Sequence, residues 1–231
     1  AEEDDTLLQN ARLMRNCDKE NKAINLIVSS DSFQAMTLAS VCTLDEPGIF
    51  ARMTGAIGVA GATILGAKIH TTKDGVAVDN FTLQGFDNKP FDQPKQIEKL
   101  ERVLAQAMKG SVKIKERLEQ KRPYGNRSEI FELEPKILID NNASNRSTVI
   151  EVNAKDRPGL LYDLAYALYR LKLNIFSAHV ATYGEQATDV FYVQELAGRK
   201  LANSIRLKNI EEKLSAAARG VIQTEEESMA L

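Results

Sequence analysis

The hexapeptide DEPGIF at Asp45 to Phe50 returns as DRPGLL at Asp156 to Leu161, a period of 111 residues that governs everything else the chain can fold into. The correspondence runs on through Ile64 and Ile175, Ala67 and Ala178, and Thr71 and Thr182. After one deleted residue it continues through Asp79 and Asp189, Phe81 and Phe191, and Gln84 and Gln194. Two copies of one supersecondary unit are therefore expected, and 231 residues provide about 100 to 120 for each.

Each copy opens on a β-branched segment, Thr37 to Leu44 or Thr148 to Lys155, which reads as a strand ending at Asp-x-Pro-Gly. Apolar residues then fall at Phe50, Met53, Ile57 and Ala60, and at Leu161, Leu164, Leu168 and Leu171, the spacing of a helix with one buried face. A hairpin follows, with turns at Lys73-Asp74-Gly75 and Tyr183-Gly184-Glu185. Helical segments come next, Gln93 to Gln120 with a break at Gly110, and Ile205 to Ala218. Ile130 to Ile139 is assigned as the last strand of the first copy, with Pro135 marking an edge or bulge. In the second copy only Gly220 to Gln223 is available for the matching strand. The pattern β-α-β-β-α-β predicts an α+β chain of two tandem ferredoxin-like domains. The boundaries drawn from it are a helical extension over 1–34, a first domain over 35–140, and a second domain with an acidic tail over 141–231. Residues 141–147 (NNASNRS) are the expected turn between copies.

Composition narrows function mainly by exclusion. Thirty basic and 32 acidic residues give a net charge of -2 without a basic block, which argues against nucleic acid as a partner. No run approaches the roughly 18 to 20 apolar residues of a membrane span, so a cytoplasmic chain with no membrane partner is expected. Cys17 and Cys42 lack CxxC spacing and are expected as reduced thiols, with no metal site and no cofactor in this chain. The Ala start, running into an acidic helical segment, suits a piece of a longer protein or loss of an initiator Met. No phosphate loop, catalytic triad or metal cluster is present in the sequence, and catalytic residues are assigned to none.

The repeated loop is then the main functional candidate. Gly48 and Gly159 let a ligand approach helix N-terminal amides, which attract a carboxylate. The carboxylates of Asp45 and Asp156 stand ready for an ammonium group. The same trio also serves as an ordinary cap and turn, and sequence alone leaves these two roles about even. Thr63 and Asn174 occupy equivalent positions at the start of the following strand; Asn174 suits recognition of a side-chain amide or the capping of a helix end. Asp79 and Asp189 share a strand face with Phe81 and Phe191, where a carboxylate calls for a helix terminus, an Arg or a ligand.

A β-α-β-β-α-β unit with Asp-x-Pro-Gly at its first turn resembles the ACT domain, a module that binds amino acids and regulates a linked enzyme. AGATILGAKIHTTKDGVAVDNFTLQ in the first copy, and the stretch from Ala143 to Val193 in the second, resemble the paired ACT domains of the bifunctional uridylyltransferase/uridylyl-removing enzymes. The resemblance implies glutamine as allosteric ligand, contacting Asp45, Gly48 and Thr63 in one domain and Asp156, Gly159 and Asn174 in the other. It further implies the catalytic domains of a parent enzyme and the PII signalling protein as partners, UTP and a divalent metal in those catalytic domains, and a possible homo-oligomer through the ACT sheets. Glu46 stands where the family pattern has His, and no nucleotidyltransferase signature or His-Asp dipeptide occurs here. Alternatives are a regulatory ACT pair of another amino-acid-controlled enzyme, or a structural module that docks a protein through an open edge.

Overall fold

The computed structural model describes residues 10, 11, 13, 24–31, 33–85, 88–121 and 134–221. Two four-stranded antiparallel sheets carry helices on one face, in the order β1 (Asn25–Asp31), β2 (Met36–Leu44), α1 (Ile49–Ala60), β3 (Ala62–Lys68), β4 (Val76–Gly85), α2 (Pro94–Met108) and α3 (Ile114–Glu119) for the first unit. The second unit comprises β5 (Lys136–Asp140), β6 (Thr148–Lys155), α4 (Leu160–Arg170), β7 (Leu173–Tyr183), β8 (Gln186–Glu195) and α5 (Ser204–Ala218). Strand orders are β1-β2-β4-β3 and β5-β6-β8-β7. Both units are ferredoxin-like, as the repeat predicts.

Chain order differs from the expected β-α-β-β-α-β in one respect. The strand Lys136–Asp140 pairs with β6 of the second sheet, Ile139 opposite Ile150, and is not the last strand of the first copy. In the first sheet the same flanking place belongs to β1, Asn25 opposite Cys42, from a stretch assigned by sequence to the extension. Each unit thus takes its flanking strand from the chain before it, so the sheets extend beyond the sequence boundaries at 35 and 141. Pro135 precedes β5, where the absent N–H costs an edge strand nothing. The turn over 141–147 connects β5 to β6 within the second unit, not one copy to the next. Asn141 donates to the Leu201 carbonyl at 2.7 Å, and Lys200 donates to the Asn141 carbonyl at 2.7 Å. Of the segment Gly220 to Gln223, residues 222 and 223 lie outside the described residues, as do 130–133.

Alternation decides which side of each sheet is buried. In β2, Ala39 and Val41 point toward the helices, with Phe81 and Leu83 of β4 beside them; in the second unit Ile150, Val152, Phe191 and Val193 do the same, all at most 1% exposed. Phe50 of α1 stacks on Phe81 with ring centroids 6.1 Å apart. Helix α2 ends at Met108, and Gly110 at φ 64° supplies the expected break before α3.

The units sit side by side. β3 and β7, each the outer strand of its sheet, run next to one another, and α1 packs on α4 on the helical side. The helices of both units and the facing strands form one continuous apolar core. Gly55 of α1 makes this contact possible, since a Cβ there would lie 2.7 Å from the Tyr162 ring of α4. On the opposite face of the first sheet, Leu13 from the N-terminal helical stretch packs with Cys42 and Val78. Cys42 is disulfide-bonded and fully buried, so the expectation of two reduced thiols is corrected; Cys17 lies outside the described residues.

Candidate functional site

Both Asp-x-Pro-Gly loops fold alike, and the glycine explains why. Gly48 (φ 79°) and Gly159 (φ 83°) are in the left-handed region at the N-caps of α1 and α4, where an L side chain is strained. Each loop is tied to the hairpin turn of its own unit: the Asp45 amide donates to the Gly75 carbonyl and the Asp156 amide to the Glu185 carbonyl, both at 2.8 Å. Neither helix has a side-chain cap; the first amide of each, Ile49 and Leu160, donates to the Glu46 and Arg157 carbonyls at 3.0 and 3.1 Å, which leaves the amides that follow it for an acceptor from outside the chain.

Each loop also abuts the other unit. A Cβ at Gly48 would lie 3.1 Å from the Tyr169 ring of α4, and one at Gly159 would lie 3.3 Å from Leu118 of α3. Tyr169 belongs to a run of contacting rings with Tyr166 and Tyr162. A cavity of about 290 Å³ opens beside the second loop. Its walls include Asp156, Gly159, Asp189 and Thr182 from the second unit and Thr63 and Lys121 from the first. Thr63 therefore meets the loop of the neighbouring unit and not Asp45 and Gly48 of its own. Asp45, Gly48 and Asn174 do not line this cavity; Asn174 is an exposed residue paired with Gln194.

The two loops differ in charge and in how their carboxylates are satisfied. In the first, Glu46 pairs with Arg52 of α1 at 2.8 Å, and Arg52 also donates to the Met108 carbonyl at the end of α2. In the second, Arg157 pairs with Asp163 of α4 at 2.7 Å and donates to the Ala217 and Ala218 carbonyls at the end of α5. The loop beside the cavity thus carries a guanidinium and the other a carboxylate. Lys121, at the cavity wall, donates to the Gly58 and Val59 carbonyls of α1, both at 2.8 Å.

Burial raises the carboxyl pKa of Asp45, opposed by a hydrogen bond from Thr71, and raises that of Asp156, opposed by the Arg157 backbone and its charge. Behind each loop lies a second, deeper carboxylate. Asp79 is fully buried and pushed up to about 7, first by burial and then, with the opposite sign, moderated by the His70 amide, with Asp45 adding repulsion. Asp189, 1% exposed, is pushed up to about 7 by burial and by Asp156. Sequence reasoning noticed this pair through its strand register but did not place it in the site. The signal was there: Asp189 and Phe191 point inward together, and an inward carboxylate needs a counterpart. His179 rests edge-on against Tyr192 at 5.8 Å, away from the cavity walls. Among the described residues no group of three or more His, Cys, Asp or Glu lies close enough together to hold a metal ion.

Comparison with known proteins agrees with the fold. Residues 143–221 match the ACR family N-terminal ACT domain. The chain is 38% identical over 215 residues to the bifunctional uridylyltransferase/uridylyl-removing enzyme of Gluconobacter oxydans, covering 92% of this chain and 23% of that protein. It is 44% identical to the enzyme of the same description from Novosphingobium aromaticivorans, over 79% of this chain and 20% of the relative. For that of Zymomonas mobilis the figures are 40% identity, 94% and 24%. The chain spans about a fifth to a quarter of the length of these relatives. The second unit thus matches an ACT-domain model, and the chain as a whole is similar to one region of these enzymes.

Proposed function

We propose that this tandem ACT region is the glutamine-sensing regulatory part of a bifunctional PII uridylyltransferase/uridylyl-removing enzyme. The observation that carries the reading is the cavity at the second loop, walled by both units and furnished with groups of both signs. An amino-acid zwitterion matches such a site: its carboxylate meets the uncapped N-terminus of α4 with Arg157 nearby, and its ammonium group meets Asp156. The Arg157 loop favours this end over the Glu46 loop, so one glutamine per chain is expected at the second loop. Asp45 and Gly48 then belong to a first loop that packs against α4 of the other unit, and Asn174, exposed on β7, stands outside the site.

A ligand that touches both Thr63 and the Asp156 loop binds best when the units keep their present arrangement. A coupling of about 1 to 3 kcal/mol changes a linked activity roughly 5- to 150-fold. In the proposed enzyme, high glutamine suppresses attachment of UMP to PII and favours its removal, the chemistry being performed by catalytic domains with UTP and a divalent metal. The similarity to enzymes of that description supports the reading.

The test is calorimetric titration of the chain with glutamine, with glutamate and serine as controls, repeated on Asp156→Ala and Asp45→Ala. Glutamine-selective heat that is lost in Asp156→Ala and kept in Asp45→Ala is the expected result. Selective binding of another amino acid would move the chain to a different regulated enzyme. No binding at several millimolar would leave a structural module.

A further inference from the structure

Asp189 stands out among the buried groups because both of its carboxylate oxygens are sealed from solvent and neither has a hydrogen-bond partner. An unpartnered carboxylate inside a protein is among the more costly arrangements a fold can keep. The equivalent position in the first unit shows the difference. There one Asp79 oxygen accepts from the His70 amide at 3.3 Å, and Asp45 is held by Thr71. In the second unit Ala181, which matches His70, lies within the β7 ladder opposite Thr188, and Thr182, which matches Thr71, faces the cavity. The two cations on the cavity wall are directed elsewhere, Arg157 to Asp163 and the end of α5, and Lys121 to the end of α1. Both units keep the deep carboxylate, but Asp79 accepts one amide hydrogen bond and leaves one oxygen unpartnered, whereas Asp189 accepts none.

Resting on the reading of this cavity as an amino-acid site, we propose that the Asp189 carboxylate, together with Asp156, is the receptor for the ligand's primary ammonium group. An ammonium brings three N–H donors and a positive charge to oxygens that lack both. The ligand class follows: a primary amine is accepted and its N-acylated form, which carries neither the charge nor the donors, is refused. A proton moves as well. Burial and Asp156 hold Asp189 partly protonated at neutral pH, while Arg157 and Lys121 are the cations that face the cavity; an incoming ammonium favours the ionised carboxylate, so binding expels the Asp189 proton into solvent.

The test is carbon NMR of the chain labelled at aspartate Cγ, with the Asp189 resonance assigned through Asp189→Asn or Asp189→Glu, and with glutamine, N-acetylglutamine and methylammonium chloride as probes. Calorimetry with glutamine in two buffers of different ionisation enthalpy counts the proton. The Asp189 resonance is expected to move to its ionised position with glutamine and with methylammonium, and to stay in place with N-acetylglutamine. Asp189→Asn is expected to bind glutamine on the order of 10- to 100-fold more weakly. Glutamine binding with an unmoved Asp189 resonance overturns the receptor and leaves the amino-acid reading intact. A methylammonium response without glutamine binding supports the receptor and overturns glutamine as the ligand. Silence towards all three probes overturns the receptor, and these readouts need no stable Asn variant.

Discussion

Arg157 lies 2.7 Å from Asp163, and one repeat period earlier the same two places hold Glu46 and Arg52 at 2.8 Å with the charges exchanged. In both units the guanidinium also closes the C-terminal end of the second helix, reached from the loop in one case and from the first helix in the other. The bridge is a shared requirement of the fold, and its polarity is free to vary. That freedom gives the two loops opposite local charge without altering their backbone.

Reversing the polarity separates folding from binding. Arg157→Ala loses the ion pair and the bonds to the end of α5, and is expected to cost about 1 to 3 kcal/mol in urea denaturation. Arg157→Glu with Asp163→Arg rebuilds the pair in first-unit form and recovers most of that stability. Glutamine affinity does not return in the double variant, as calorimetry will show, because the cavity then faces a carboxylate.

The raised pKa of both deep carboxylates sets a pH dependence whose sign is opposite to that of a salt-bridged Asp. Asp79 and Asp189 bind a proton more tightly in the folded chain, near 7, than in the unfolded chain, near 3.8. Their contribution is fully present below about pH 4, declines as pH rises, and is gone above about pH 7. A shift of that size corresponds to at most about 4 kcal/mol for each residue. Thermal melts from pH 4 to pH 8 should show Asp79→Asn and Asp189→Asn gaining on the unsubstituted chain as pH increases. Parallel curves for variant and parent would refute the buried-charge account.

Thr63 tests whether the site is shared between units. Thr63→Val keeps the shape of the side chain and removes its hydroxyl, so stability stays within about 0.5 kcal/mol at this partly exposed strand position. Weaker glutamine binding by this variant, measured by calorimetry, would show a first-unit residue acting at the second-unit loop. Unchanged binding would confine the ligand to residues of the second unit.

Gly55 tests the contact between α1 and α4. Gly55→Ala places a methyl group against both Ile114 of α3 and the Tyr162 ring of α4 and is expected to cost about 1 to 3 kcal/mol. The loss should be accompanied by faster amide exchange in both helices. A neutral result would mean that the helices separate more easily than their packing implies.

The repeat made the core legible, because Asp-x-Pro-Gly and the helix spacing after it are local signals. Thr148–Lys155 was bounded to the residue, and α5 to within one at its start. The flanking strands were not legible in the same way. Asn25–Asp31 and Lys136–Asp140 each carry only a short apolar run, Leu26 to Val28 and Ile137 to Ile139, which fits the edge of either sheet, and their places are fixed by pairing with β2 and β6. Thr63 was grouped with Asp45 for a similar reason. Equivalence within a repeat says which residues match, whereas the packing of one unit on the other decides which residues meet.

A fragment experiment checks the revised boundary. A piece starting at Glu134 keeps β5 and the Arg219 bridge to Glu134 at 2.8 Å, whereas one starting at Asn141 loses the flanking strand. The longer piece should melt cooperatively, and the shorter should aggregate or melt at a much lower temperature through the exposed edge of β6. Equal stability of the two would remove β5 from the domain.

The position of these flanking strands also bears on how the chain folds as it leaves the ribosome. In a unit that ends on a strand, an open sheet edge waits for residues not yet synthesised, and a neighbouring nascent chain can take the place. Here β1 and β5 emerge ahead of the strands they pair with, and among the described residues a helix is the last element of each unit to appear. The first sheet can close before any of the second has been translated, which limits the exchange of edges between two copies of one repeat.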